Sequence, residues 1–498
     1  MKDLSAYAEL EIIFCQIFTL KGIESFLYWD MSVNMPIGGA MVRSEQLAVL
    51  TEKIHSIITS KQVGILLNES EISPPSDPWR RANLREMRRH WKHAIFVDGK
   101  LVQALSKSSS ACQMAWRKAC QENDFGLVKD SFSKLLGLVR EKAVTKGSGF
   151  GKLPYEALMD EFEPDSTIKE LDSIFCELYE FLPELTEKVV FKQSVGKPPE
   201  IPIGPFDEEA QINLARFMMK QVGFNFEYGR LDKSLHPFCG GVSEDVRITT
   251  RYKKNDFLSG LMGVLHETGH AMYERGLPEK WRHQPVGQAR GMAIHESQSL
   301  LIEMQVCRSL EFLSFAVPLM KTAFGSKGSA WTPGNFYRLQ NKVSKSLIRV
   351  EADEVTYPLH VILRYQIEKA LISGEIEVEE LPAIWNEKMR NFLGVEPKND
   401  REGCLQDIHW FNGAFGYFPT YTLGALAAAQ IFQAACTAET EIKPKLSEGC
   451  FVPLMRWLRE NIHSKGSSAS TNEILTGASG SPIGTKAFKL HLQQQYLE

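Results

Sequence analysis

The residues with the clearest chemical role are His266, Glu267 and His270, which form the pattern His-Glu-x-x-His. On a helix, residues four apart share a face, so the two histidines would present their imidazoles to one metal ion. Glu267 is rotated from that face by roughly 100° and would instead reach a water on the metal as its general base. The pattern therefore predicts metal-dependent hydrolysis on a helix.

A third metal ligand has to come from another element. Glu274 continues the row of the two histidines, but three side chains on successive turns form a line about 12 Å long and cannot close around one ion. After a turn rich in Gly and Pro, a second helical pattern covers residues 289–310 and could pack back against the first. In that run Glu296 is the favoured ligand, with His295 and Glu303 as alternatives. Three protein ligands and a water form an open, catalytic arrangement.

Helical periodicity dominates the rest of the chain. Apolar residues at helical spacing predict, among others, helices at 4–28, 42–67, 166–192 and 346–371. The first two are separated by Trp29, Asp30 and a turn containing Pro and Gly, and Pro358 is expected to kink or interrupt the last. Residues 147–163 have the composition of a turn-rich stretch.

One segment has the pattern of a strand. Residues 245–252 alternate and contain β-branched side chains, whereas residues 236–241 before them are turn-like. The edge of a strand beside the metal helix would bind an extended peptide, and the alternative is an ordinary small hairpin in which Arg247 is a surface residue. The sequence thus predicts a mainly helical fold with one small sheet.

Composition narrows the class of protein. At 498 residues and 43% hydrophobic side chains, the chain is long enough for two lobes around a cleft or for one large helical body. The net charge of -4 gives no case for nucleic acid as a partner. The most apolar run, residues 423–436, is too short to span a bilayer and is expected inside the protein.

The cysteines and the N-terminus indicate the compartment. The nine cysteines are scattered and include no C-x-x-C pair, which is typical of reduced thiols in a cytosol. Acidic residues break the apolar residues of the N-terminus, so no signal-peptide pattern is present there. The sequence predicts a cytoplasmic protein with no membrane partner.

Two further segments contain polar side chains that would suit a substrate cleft. Arg349 could pair with acids of its own helix, which is the commoner arrangement, or bind a carboxylate through its planar fork. His409, Tyr417 and Tyr421 lie in a segment rich in Gly and aromatic residues. They are candidates to stabilise an oxyanion, although each taken singly is more often a packed core residue.

Six motifs together resemble the zinc carboxypeptidase family typified by carboxypeptidase Taq. They are HPF at 236–238, DVRIT at 245–249, HETGH at 266–270, HESQ at 295–298, IRVEAD at 348–353 and GCLQDIHW at 403–410. Their order and spacing are similar to those of the family, and no motif position departs from its pattern. The likeness extends to YWD near the N-terminus and WLRENIH near the C-terminus, so it covers nearly the whole chain.

The resemblance implies a mainly α-helical, two-lobed body with a deep substrate groove and one small β-sheet beside the active site, similar to neurolysin and angiotensin-converting enzyme. We expect a single peptidase domain over residues 1–498. A helical part at about 1–200 would form one wall of the groove, and a catalytic part at about 201–498 would contain the site. The resemblance also implies a homodimer.

The activity implied by the resemblance is removal of single residues from the C-termini of peptides, with broad specificity and poor action when proline is near the scissile bond. By that likeness His266, His270 and Glu296 bind zinc, with cobalt as an alternative metal. Glu267 would be the catalytic base and proton shuttle. His409 and Tyr421 resemble the groups that steady the tetrahedral intermediate.

For the terminal carboxylate of the peptide, Arg349 is favoured and Arg247 competes, because an Arg fork binds a carboxylate with two hydrogen bonds. His236 and Asp407 would position substrate or support these residues. Two other hypotheses stay open. An endo-oligopeptidase with the same metal site would cut amidated peptides as readily as free acids, and a non-catalytic peptide-binding scaffold would have no use for Glu267.

Overall fold

This computed structural model describes residues 5–325 and 327–498, so the predicted helix start at residue 4 lies outside the described residues. Within these ranges the chain forms twenty α-helices and one three-stranded sheet. The predicted mainly helical fold with one small sheet is confirmed. No helix in the described ranges combines the length and the apolar character needed to cross a membrane.

The first four helices form a unit with its own hydrophobic core. They are α1 (Ala6–Val33), α2 (Ala40–Ile58), α3 (Lys61–Ile72) and α4 (Pro78–Ile95). Leu10, Phe14 and Met87 lie at the centre of this core and are fully buried. A second, larger hydrophobic core contains most of the remaining apolar residues.

Two boundaries in this unit differ from the prediction. The expected break at Trp29 and Asp30 is wrong, because Trp29 is buried and Asp30 accepts a hydrogen bond from Arg43 of α2 at 2.7 Å, so α1 continues to Val33. The predicted helix at 42–67 is divided, because the Ser60 side chain accepts the backbone N–H of Val63 and starts α3.

Five helices lead from this unit towards the sheet: α5 (Gly99–Glu122), α6 (Gly126–Phe150), α7 (Pro154–Met159), α8 (Ile168–Val195) and α9 (Glu208–Val222). The interpretation of residues 147–163 as turn-rich was only partly correct. That stretch contains the last turn of α6 and the whole of α7, since Pro154 suits the first turn of a helix.

The sheet consists of β1 (Gly229–Lys233), β2 (Phe238–Val242) and β3 (Asp245–Thr250) in the order β1-β3-β2. β1 is parallel to β3, and β2 is antiparallel to it. The strand prediction was right for β3, but the turn-like interpretation of residues 236–241 was wrong from Phe238 onward. Two glycines weakened the strand signal there, and Gly241, at φ 88°, has no room for a Cβ beside the carbonyl of Asp245.

The predicted metal helix is α10 (Phe257–Gly276), and the second run contains α11 (Gly291–Leu300) followed by a π-helical turn, Leu301–Val306. Gly269 allows α10 and α11 to approach closely, because a Cβ there would lie 2.4 Å from the backbone oxygen of Gln298. The two helices that contain the candidate ligands are therefore packed backbone to backbone.

The remaining helices complete the larger core: α12 (Leu310–Ala323), α13 (Pro333–Gln340), α14 (Tyr357–Ser373), α15 (Leu381–Leu393), α16 (Pro419–Ala438), α17 (Ile442–Ser447), α18 (Val452–Asn461), α19 (Thr471–Ser479) and α20 (Lys486–Leu497). The apolar run at 423–436 lies in α16, whose residues are mostly buried inside the protein, as expected.

The helix predicted at 346–371 is wrong in its first part. Arg349–Glu351 form only a 3-10 turn, and α14 begins at Tyr357 with Pro358 in its first turn. The Asp353 carboxylate accepts the backbone N–H groups of Val355 and Thr356, a local turn that competes with a helix. Arg349 is thereby placed on a loop before the helix.

Candidate metal centre

The close approach of α10 and α11 brings together donor atoms of His266, His270 and Glu296. One donor atom from each lies within 4.8 Å of the other two, and Nε2 of His270 is 3.6 Å from Oε2 of Glu296. Two imidazoles and one carboxylate are a donor set that zinc accepts, and three protein ligands leave a position open for water. The residues present therefore fit a catalytic metal ion.

Each histidine is oriented through its Nδ1 atom. Nδ1 of His266 lies 2.9 Å from Oε2 of Glu303. Nδ1 of His270 lies 3.0 Å from the backbone oxygen of His295, and because a carbonyl only accepts, this nitrogen is the donor. In both residues Nε2 is left for a metal, an arrangement that fixes tautomer and ring orientation.

The two alternative third ligands have other partners. Glu303 binds Arg308 at 2.8 Å as well as His266. Burial would raise the pKa of Glu303, but Arg308 and His266 lower it to about 2. Nε2 of His295 donates a hydrogen bond to Glu274 at 2.9 Å, and the His295 ring stacks on His270 with 4.4 Å between ring centroids. Both residues support the histidines, and Glu296 is the one that converges with them.

Glu267, which follows His266 in α10, is buried, with 8% of its surface exposed. Burial raises the pKa of Glu267 to about 7, with His266 opposing the shift and Glu296 adding to it. A carboxyl group with a pKa near neutrality can both accept and return a proton at working pH.

A second set of polar side chains comes from the segment after residue 403. Nε2 of His409 lies 3.3 Å from the hydroxyl of Tyr421, and the Tyr417 ring packs 5.2 Å from the Tyr421 ring. Burial lowers the pKa of His409 to about 4 and raises that of Tyr421 to about 12. At neutral pH both are uncharged groups that can donate a hydrogen bond.

Arg349 is held by Asp407 and not by acids of its own segment, so the first of the two alternatives for this side chain does not apply. Its Nε and one terminal nitrogen lie 3.1 and 2.7 Å from Oδ1 of Asp407, 58 residues along the chain. Arg364 binds the other oxygen, with its Nε at 2.7 Å. Burial would raise the pKa of Asp407, but Arg364 and Arg349 hold it well below its usual range. The group as a whole is a buried positive charge.

Arg349 also joins the Asp407 ion pairs to two tyrosines, Tyr421 and Tyr357. Its guanidinium carbon lies 4.9 Å from the centre of the Tyr421 ring, and another terminal nitrogen lies 3.3 Å from the Tyr357 hydroxyl. Sequence reasoning missed Arg364 and Tyr357. An arginine among the apolar residues of a helix, as Arg364 is in α14, was a usable signal that a buried acid binds it.

Arg247 and His236 lie at the sheet. Arg247 in β3 forms a two-point ion pair with Asp245 and lies 4.4 Å from the ring centre of Trp29 in α1. His236 is exposed in the loop before β2, and its backbone oxygen accepts the Thr249 hydroxyl at 3.2 Å. The hydrogen bonds and ring contacts of the described residues join neither side chain to the metal cluster.

Comparison with known proteins decides the family. The family model described as Carboxypeptidase Taq (M32) metallopeptidase matches residues 9–496. The chain belongs to the M32 carboxypeptidase family. The resemblance inferred from the six motifs is thereby confirmed, and this M32 chain is a metallocarboxypeptidase that acts on peptides.

Relatives of the M32 family match over nearly their full length. Thermostable carboxypeptidase 1 of Thermus thermophilus is 37% identical over 491 residues, covering 96% of this chain and 95% of that protein. Carboxypeptidase 1 of Bacillus subtilis is 33% identical over 477 residues, covering 95% and 94%.

Solved M32 structures have the same fold. Metallocarboxypeptidase 1 of Trypanosoma cruzi superimposes with a TM-score of 0.97 at 40% identity, covering 99% of each chain. The M32 carboxypeptidase of Deinococcus radiodurans superimposes with a TM-score of 0.93 at 30% identity, again covering 99% of each chain. The arrangement of helices around the small sheet is therefore that of the family.

Proposed function

We propose that this M32 carboxypeptidase is zinc-dependent and releases single residues from free peptide C-termini with broad specificity. The observation that supports this most strongly is the convergence of His266, His270 and Glu296 to within 4.8 Å beside Glu267. Nitrogen-rich sites with one carboxylate suit zinc, and cobalt takes the same geometry.

The three ligands would hold the ion through Nε2 of each histidine and a carboxylate oxygen of Glu296. When bound, the ion supplies Lewis-acid chemistry, in that it polarises the scissile carbonyl and lowers the pKa of water to about 7. Glu303 and the backbone oxygen of His295 keep the two imidazoles aimed at one point. Because these supports come from the same helical run as Glu296, they fix the histidines relative to the third ligand.

Glu267 accepts the proton of the attacking water and returns it to the leaving amine. Both steps require a carboxyl group that exchanges a proton near neutral pH, and burial raises the pKa of Glu267 in that direction. His409 and Tyr421 donate hydrogen bonds to the oxygen that gains negative charge. Because both groups are neutral, one donates to the other across their 3.3 Å contact, and this bond opens when both donate to the developing charge.

Arg349 is our candidate for the terminal carboxylate of the peptide. A guanidinium has five N–H groups, and the contacts with Asp407 and Tyr357 use three of them. Its contact with Tyr421 places it beside the proposed oxyanion donors. Asp407, fixed by Arg364 on its other side, would hold the Arg349 fork, while Arg247 and His236 would contact the substrate at the sheet.

The wider organisation follows from the resemblance. We infer a cytoplasmic homodimer whose single domain has a helical part at about 1–200 as one wall of the groove and a catalytic part at about 201–498. The separate hydrophobic core of α1 to α4 supports a distinct wall at the start of the chain, while α5 to α8 pack into the larger core with the catalytic part.

The test uses short peptides with free and with amidated C-termini, and products are timed by mass spectrometry. We expect residues to be lost one at a time from the free acids. A chelator should stop the reaction, and zinc or cobalt should restore it. Cleavage of amidated peptides at the same rate as free acids would contradict the carboxypeptidase assignment and favour an endo-oligopeptidase.

A further inference from the structure

A buried carboxylate outside the metal cluster binds the segment that contains His409. Glu368 in α14 is fully buried and accepts three hydrogen bonds. Its Oε1 accepts the indole N–H of Trp410 at 2.9 Å. Its Oε2 accepts the hydroxyl of Tyr155 at 2.6 Å and the backbone N–H of Gly416 at 3.1 Å. Three parts of the chain, in α7, α14 and the segment after His409, meet at this one side chain.

Two of the three donors lie at the ends of the turn at 410–416, which lies between His409 and the helix of Tyr421, α16. Trp410 directly follows His409, and Gly416 directly precedes Tyr417. Gly416 has a φ of 85°, and a Cβ there would lie 2.8 Å from the backbone nitrogen of Met159 in α7. The turn is thus pressed against α7, and Glu368 holds it at both ends.

The ring of His409 is connected to the same packing. It lies 4.6 Å from the Phe418 ring, and the Trp410 indole packs edge to face against Trp385 at 5.8 Å. The 3.3 Å contact between His409 Nε2 and the Tyr421 hydroxyl therefore depends on where the backbone of residues 409–416 lies. Two hydrogen bonds to Glu368, from Trp410 and Gly416, tie that backbone to α14, and the third, from Tyr155, holds the carboxylate in place.

Burying the Glu368 carboxylate in the core is unfavourable for folding. A buried carboxylate costs free energy unless it is paired and hydrogen-bonded, and an apolar side chain of similar size often packs as well or better. Its direct partners are two neutral side chains and one backbone N–H, and burial raises the pKa of Glu368 to about 7 in spite of them. General stabilisation of the core is thus a poor explanation for this carboxylate, whereas precise placement of the turn accounts for it.

We propose that Glu368 is a positioning residue for the reaction, in that it places His409 and Tyr421 for the oxygen that gains charge, without touching the substrate. This inference rests on the role proposed for His409 and Tyr421. Because a misplacement of about 1 Å in an active site can cost about 100-fold in rate, Glu368→Gln should lower kcat by about 10- to 100-fold. KM should change little, because the substrate and metal contacts remain.

The chain offers a matched pair of tyrosines for the test. Tyr155→Phe removes one donor to Glu368. Tyr365→Phe removes the hydroxyl of another buried tyrosine whose ring is only 5.8 Å away, but that hydroxyl donates to Asp172 at 2.8 Å and not to Glu368. We expect kcat to fall several-fold in Tyr155→Phe and to stay at the wild-type value in Tyr365→Phe, with bound metal and KM unchanged in both.

A double-mutant cycle with His409→Ala separates positioning from a general structural effect. If Tyr155 acts through His409, adding Tyr155→Phe to His409→Ala should lower kcat by less than Tyr155→Phe lowers it in the wild type, because coupled residues are not additive. Full additivity, equal losses in the two tyrosine variants, or wild-type kcat in both Glu368→Gln and Tyr155→Phe would overturn the inference. If Glu368→Gln does not fold, the tyrosine pair decides. Wild-type kcat in His409→Ala itself would instead contradict the proposed function.

Discussion

Nδ1 of His266 lies 2.9 Å from Oε2 of Glu303, and the other oxygen of Glu303 is bound by Arg308 at 2.8 Å. Glu303 lies in the π-helical turn that follows the helix of Glu296, and such turns are often found at functional sites. One continuous segment therefore contains both the proposed third ligand and the carboxylate that orients the first ligand.

This relationship predicts the effect of Glu303→Gln on metal affinity. The neutral amide removes the charge that orients the His266 imidazole and favours metal binding. Loss of such an orienting contact usually weakens metal affinity by about 10- to 100-fold. Competition titration with a zinc indicator measures the change. An unchanged affinity would show that Glu303 does not support the ligand.

The two candidate arginines are distinguished by a pair of Lys variants. Arg349→Lys keeps the charge but loses the planar fork that binds a carboxylate with two hydrogen bonds. The value of kcat/KM for peptides with a free C-terminus should therefore fall by about 100-fold, which corresponds to a loss of roughly 2.7 kcal/mol of transition-state stabilisation. Arg247→Lys is the matched control and should change kcat/KM by much less. The opposite order in steady-state assays would move the carboxylate site to the sheet.

Acid should destabilise the protein through His463. This residue is buried beside Gln298, and burial lowers its pKa to about 3. Below a pH of about 6.5 the unfolded chain binds a proton that the folded chain does not, so stability is complete above that pH and is lost as the pH falls towards 3.

The measurement for His463 is urea unfolding of the chelator-treated protein at several pH values. Between pH 6 and 4, the free energy of unfolding should fall less steeply in His463→Gln than in the wild type, by up to about 1.4 kcal/mol per pH unit. The variant keeps a group that can hydrogen-bond Gln298, so its stability above pH 7 serves as the control. An identical pH dependence in wild type and variant would contradict the assignment.

Much of the fold and the candidate site could be predicted from local patterns. The His-Glu-x-x-His spacing on an amphipathic helix placed two imidazoles on one face, and the run after it contained few acids from which to choose Glu296. These inferences needed only helical periodicity and turn signals, which are properties of neighbouring residues.

What could not be predicted depends on contacts between distant residues. Pairing of Arg349 within its own helix was one of two alternatives, but a turn made by the Asp353 side chain ends that helix pattern, and Arg349 pairs with Asp407. β2 was missed because glycines carry no side-chain signal, and its pairing with β3 is a tertiary feature. Glu368 was not predicted at all, since nothing near it in sequence shows that Tyr155 and Trp410 donate to it.

The central claim is that Glu267 moves the proton while His266, His270 and Glu296 hold the metal. Glu267→Gln preserves size and leaves all three ligands in place, so bound zinc, measured by mass spectrometry of metals, should remain at the wild-type level. Release of C-terminal residues should fall by at least about 1,000-fold, because the variant cannot accept the proton of the attacking water. Wild-type zinc content with activity within a few-fold of wild type would contradict the account.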